Sequence, residues 1–193
     1  YGTVLRQMFG WDGRNYVIPV WESTPRKSAL LGVRLRSGGD SLIRYSGVKG
    51  SNDKTLYNAE ALQVSKKADL GFLFVLYGEL DAQLAWQDGI PAVSPTNGAL
   101  SLDAKWFDDF DGEKIIIPDK GEERAALEDA GKFGSKGWVA HLPRNKVLKD
   151  YTDFRTKGHR SKDLVRDVIL PQIPVLTAEK MRKAIQESLI LQA

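Results

Sequence analysis

The sequence predicts an α/β protein: a mostly parallel sheet with flanking helices, preceded by a small basic α+β lobe and followed by a helical tail. Three observations carry this. Apolar strand runs alternate with helix patterns from residue 71 onward, residues 15–45 read as short strands joined by turns, and charge is unevenly divided along the chain. Residues 1–67 hold 11 basic and 5 acidic side chains (+6), residues 68–147 hold 8 and 14 (−6), and residues 148–193 hold 9 and 6 (+3). An acidic centre between basic flanks suits a cation-binding core framed by surfaces for a polyanion, although solvated surface has the same composition. The same divisions give the expected organisation: a basic lobe over 1–67, an α/β lobe over 68–147, and an acidic loop with a helical tail over 148–193.

At 193 residues the chain is one ordinary domain or two small lobes sharing a core. It is 42% hydrophobic and 27% charged, and no apolar run approaches the roughly 20 residues that span a bilayer, so no membrane partner is expected. With no cysteine there is no disulfide or thiolate zinc site within the segment, in agreement with a reducing compartment. Tyr1 follows no leader pattern, so the chain is expected to be a segment of a longer protein.

Tyr16–Trp21 and Ala29–Arg36 read as a hairpin, and the Ser37-Gly38-Gly39-Asp40 turn leads to a third strand at 41–45. Alternation puts Arg34 and Arg36 on one strand face, with Val33 and Leu35 on the other. From residue 71 the expected order is strand 71–77, helix 79–88, strand 90–94, helix 102–110, strand 113–118, helix 120–133 and strand 136–142. Leu80, Leu84 and Ala85 give one helix an apolar face, and Ala125, Ala126, Leu127 and Ala130 another. Thr177 starts a last helix with Met181, Ala184, Ile185 and Leu189 as its stripe. The five tryptophans, Trp11, Trp21, Trp86, Trp106 and Trp138, are expected in core or lobe contacts.

Two strand runs end in acids. Phe72–Tyr77 stops at Gly78 and opens into Glu79-Leu80-Asp81, and Lys114–Pro118 delivers Asp119 at its tip. Open α/β sheets hold ligands at such carboxyl ends, and two acidic tips side by side make a divalent-cation site. Glu79, Asp81, Glu122 and Glu123 also fall in first helical turns, where the helix dipole favours acids without any metal. His141 and His159 are too far apart in sequence for a histidine metal site, and no catalytic Ser-His-Asp order, Walker loop or Gly-x-Gly-x-x-Gly is present.

These motifs, with Lys149-Asp150-Tyr151-Thr152-Asp153-Phe154 downstream and Ile18-Pro19-Val20, Gly32-Val33-Arg34, Arg44-Tyr45 and Leu56-Tyr57-Asn58 upstream, resemble the Toprim domain of DNA primases and its basic lobe, especially phage-type helicase-primases. The resemblance covers about residues 15–160. It implies synthesis of short RNA primers on single-stranded DNA from nucleoside triphosphates, with Mg²⁺ or Mn²⁺, in a bacterial host cytoplasm. It also implies a helicase or zinc-binding domain elsewhere in the full-length protein. Asp119 matches the first acid of the family's Asp-x-Asp pair and is the expected metal ligand. Gly78 and Asp81 match the first motif, the glycine allowing a tight turn, and Asp150 matches the later element. The family's leading glutamate falls on Tyr77 and its second Asp-x-Asp acid on Gly121, so Glu79 and Glu122 are the expected replacement ligands, with Glu123 beside them. The expected catalytic set is therefore Glu79, Asp81, Asp119 and Asp150, and the metal set Asp119, Glu79 and Glu122. Arg34, Arg36, Arg44, Lys49 and Lys54, interleaved with Tyr45 and Tyr57, are the expected nucleic-acid contacts. The alternative is a Toprim module that has lost catalysis and binds nucleic acid or a replication partner.

Overall fold

The structure, a computed structural model, describes residues 9–24, 27–39, 45–51, 54–143, 148–159, 163–169 and 171–173. Arg44 and the expected helix from Thr177 lie outside these residues.

The basic segment folds as the expected meander. Strands β1 (Gly10–Trp11), β2 (Asn15–Thr24), β3 (Lys27–Ser37) and β4 (Tyr45–Gly47) form an antiparallel sheet in sequence order. Of the third expected strand, 41–45, only Tyr45 lies within the described residues, where it belongs to β4. Ile18 and Val20 are fully buried, which fixes one face of β2 inward.

The second sheet has five strands in the order β5 (Leu56–Tyr57), β7 (Ala92–Pro95), β6 (Phe72–Leu76), β8 (Glu113–Ile117), β9 (Gly137–Val139). Only β5 runs antiparallel to its neighbour. Both faces are covered, which is why β6 and β8 read as unbroken apolar runs. Phe72, Phe74 and Leu76 face a core shared with Ile18, Tyr151 and Phe154, and Leu73, Val75 and Tyr77 face one shared with Leu62, Phe107 and Ala126. Helices α2 (Glu79–Gln87) and α4 (Tyr151–Thr156) pack on the first side, α1 (Glu60–Lys67) and α3 (Glu123–Gly131) on the second. Thus β5, which precedes the expected lobe boundary at residue 67, is a strand of the second sheet, and α1, which ends at that boundary, packs on its face.

The helix expected over 102–110 is instead a single 3₁₀ turn, Ala104–Phe107, with Asp103 Oδ1 accepting from Lys105 N–H at 3.0 Å. Only Leu102, Phe107 and Phe110 are buried there, too few to hold a longer helix against the sheet. Leu127, expected on the buried face of α3, is 62% exposed; the inward positions are Ala126, Asp129 and Ala130. Trp11 is 56% exposed rather than in a core.

Candidate functional site

The strand order places β7 on one side of β6 and β8 on the other, so successive crossovers diverge at the carboxyl ends of β6 and β8. That divergence opens a crevice where α/β sheets place ligands. Asp81 follows β6 and Asp119 follows β8, so both expected acids stand at its mouth.

The carboxylates there act on one another. Burial pushes the Asp119 carboxyl up to about 8, with Asp81, Glu122, Asp150 and Asp153 adding negative charge. Burial also lifts Asp81 to about 6, against hydrogen bonds from Thr152, with Asp150 raising it further. Glu122 is raised by burial and by Glu123, and its Oε2 is buried without a hydrogen-bond partner. Asp119, Asp81, Glu122 and Asp150 are therefore brought into one electrostatic cluster, although among the described residues no three acids or histidines close into a metal cage.

Glu79 points elsewhere. It is 3% exposed and meets Arg34 of β3, with Nε to Oε1 at 2.9 Å, an ion pair that joins the two sheets. The two atoms are close but not aligned as a hydrogen bond. Burial raises the Glu79 carboxyl while Arg34 opposes the rise. Arg34 Nη1 also donates to Asn97 Oδ1 at 2.8 Å. The strand face expected to meet phosphate thus lies, at Arg34, inside the protein and engaged with Glu79.

Further along that face, register makes a continuous row. Trp11 opposes Tyr16, Tyr16 opposes Arg36, and Arg36 opposes Tyr45, across all four strands. Directly opposed residues share a face, and the guanidinium of Arg36 stands 5.8 Å from the Tyr45 ring centroid. Tyr45 is pushed up to about 12, by burial first and by Glu79 among the nearby charges. The row therefore starts at exposed aromatics and ends beside the acids. Lys49 and Lys54 are exposed.

The two non-acidic positions are structurally committed. The Tyr77 hydroxyl donates to Asp129 Oδ2 at 2.7 Å, and Lys132 Nζ meets Asp129 Oδ1 at 2.6 Å. Burial and this hydrogen bond push the Tyr77 phenol far above its ordinary range. Gly121 has φ +99°, a conformation that an aspartate adopts only with strain. Gly78 has φ −149°, open to any residue, so backbone freedom is not its reason. A Cβ there would collide with Asp81 Oδ2, so glycine supplies space rather than a special turn.

Asp129 and Thr152 were not foreseen as site residues. The signal for Asp129 was available: an acid between Ala126 and Ala130 on a helix stripe needs a buried partner. Nothing local marks Thr152, whose partner lies 71 residues away.

The fold is that of the Toprim-containing catalytic core of DnaG-type primases. No protein-family model and no curated protein matches the chain. Among solved structures it is similar to the RNA polymerase domain of Mycobacterium tuberculosis primase DnaG in complex with a double-stranded DNA oligomer carrying a 6-nucleotide overhang. That match has a TM-score of 0.61 at 18% identity, over 95% of this chain and 68% of the other. It is also similar to the zinc-binding and RNA polymerase domains of Aquifex aeolicus primase, with a TM-score of 0.55 at 17% identity over 97% of this chain. The chain spans 45% of the length of that two-domain chain. A DnaG primase catalytic domain bound to single-stranded DNA matches at 0.55 and 15% identity, over 98% of this chain and 71% of the other.

Proposed function

We propose that this chain is a primase-type nucleotidyltransferase core that makes short RNA primers on single-stranded DNA from nucleoside triphosphates. The observation that carries this reading is the convergence of Asp81, Asp119, Glu122 and Asp150 at the crevice between β6 and β8. Mutually repelling, partly buried carboxylates suit a divalent cation, and the unpartnered Glu122 Oε2 supplies a further acceptor. Asp119 and Glu122, with Asp150 nearby, would hold Mg²⁺ or Mn²⁺, ions that take oxygen ligands and keep several waters. When bound, such an ion neutralises charge on the transferring phosphoryl group. Glu79, engaged by Arg34, fits a role in joining the sheets better than a ligand role.

Arg36, Lys49 and Lys54 would hold the template backbone while exposed Trp11 and Tyr16 stack on bases. The phage or mobile-element setting, a host cytoplasm, and a helicase or zinc-binding domain in the full-length protein follow from the motif resemblance. No helix among the described residues is long and apolar enough to cross a membrane.

A second reading is favoured by Tyr77 and Gly121, which leave two family carboxylates missing: a module that binds nucleic acid or a replication partner without catalysis. Primer synthesis from labelled nucleoside triphosphates on a mixed single-stranded template, with Mg²⁺ or Mn²⁺, decides between them. Metal-dependent product that disappears in Asp119→Ala supports the polymerase. Salt-sensitive binding of single-stranded DNA with no product supports the binding module.

A further inference from the structure

Asp81 in α2 and Asp88 at its C-cap both meet α4, and they are seven residues apart, two turns along one face. At the far end, Arg155 pairs with Asp88 and the Tyr151 hydroxyl donates to Asp88 Oδ2 at 2.9 Å. At the near end, Asp81 Oδ1 accepts both the backbone N–H and the hydroxyl of Thr152, each at 2.7 Å. Its other oxygen is folded back over Gly78, in the space a side chain would occupy. Asp81 is 6% exposed, so its carboxylate is enclosed by these contacts.

The segment thus held carries Asp150. Asp150 Oδ1 accepts from Asp153 N–H at 2.7 Å, and Asp153 Oδ2 accepts from Lys149 N–H at 3.0 Å. From the β8 side, Lys120 N–H donates to the Lys149 carbonyl at 2.7 Å. Asp150 therefore reaches the neighbourhood of Asp119 because its helix is anchored by Asp81 through Thr152 and by Asp88 through Tyr151 and Arg155.

We propose that Asp81 is a positioning residue: it holds the start of α4 so that Asp150 stands beside Asp119, and it is not a member of the metal shell. The reaction it serves rests on the primase reading, but the anchoring itself does not. The two roles make opposite demands on one atom. An amide oxygen at position 81 accepts the same two bonds from Thr152, whereas it cannot replace an anionic ligand without loss of affinity.

The experiment compares Asp81→Asn, Asp81→Ala and Thr152→Val in the full chain, by amide hydrogen exchange over residues 148–156 and by Mn²⁺ binding. Asp81→Ala, which removes both bonds, is expected to speed exchange at 148–153 by at least about tenfold, and Thr152→Val, which removes only the hydroxyl's, by less. Asp81→Asn is expected to stay within about threefold of the parent in both measurements, while Asp81→Ala weakens Mn²⁺ binding. The idea is overturned if exchange is unchanged in all three variants, or if Asp81→Asn weakens Mn²⁺ binding as severely as Asp81→Ala. Should Asp81→Ala fail to fold, Thr152→Val and Asp81→Asn decide the question alone. A parent protein that binds no Mn²⁺ counts against the metal site, and the exchange measurement then still judges the anchoring.

Discussion

The Tyr77 hydroxyl points from the end of β6 to Asp129 on the helix packed against the same face, α3, and because Asp129 has no exposure at all, Tyr77 serves a half-buried ion pair between Asp129 and Lys132. Its partner carboxylate receives a second bond from Lys132 and is neutralised in place. Tyr77→Phe removes one of two donors and is expected to cost about 1–3 kcal/mol, read as a lower Tm. Tyr77→Glu sets a second carboxylate against Asp129, so its loss is expected to be larger. Combining it with Asp129→Asn should recover part of that loss, and a Tyr77→Glu protein as stable as the parent would refute this account.

Stability should depend on pH through Asp119. Its folded carboxyl is raised to about 8, well above the ordinary value of 3.8, so the folded state holds a proton that the unfolded state releases. The associated stability is fully present below about pH 4 and is lost progressively as pH rises through about 8. Urea midpoints should fall between pH 6 and pH 8.5, and Asp119→Asn should flatten that decline. Millimolar Mn²⁺ should oppose it at the alkaline end, by binding the ionised folded form.

Arg34 and Arg36, two residues apart, are expected to fail differently. Arg36→Ala should weaken binding of single-stranded DNA and reduce the magnitude of its log–log salt slope by about 0.7, the amount for one phosphate contact. Lys54→Ala should act in the same direction. Arg34→Ala leaves Glu79 buried without its cation and is expected to lower thermal stability by about 3–5 kcal/mol equivalent. Equal effects of the two arginine variants on DNA binding, with equal stability, would contradict the burial difference.

Gly137 begins β9 against α3, and a Cβ built there collides with the Ala130 carbonyl oxygen. Because backbone must move to admit it, Gly137→Ala is expected to destabilise the protein by about 1–3 kcal/mol. Gly121→Ala, with open space but φ +99°, is expected to cost less, and denaturant midpoints measure both.

Much of this was legible in the amino-acid order. The unbroken Phe72–Leu76 and Lys114–Ile117 runs announced strands covered on both faces, and the meander followed from alternation and turn residues. Asp81, Asp119, Glu122 and Asp150 were also named from strand tips and motif order. What local patterns do not encode is which partner wins a side chain. Arg34 and Arg36 are equivalent by alternation, and only the docking of the second sheet turns Arg34 toward Glu79. Likewise Leu127, expected on the buried face of α3, lies outward, while Asp129 is buried and finds its partners in Tyr77 and Lys132.

The two sheets also differ in how far apart in the chain their paired strands lie. Each ladder of the meander joins consecutive strands, while β6 pairs with β8 across β7 and α2, with Phe72 opposite Glu113. Short loops close at low entropic cost and long ones later, so the meander should gain protection before the parallel sheet during refolding. The cationic row would then be assembled before the acids meet, and the crevice would come into being as the last contact of the folding reaction rather than its nucleus.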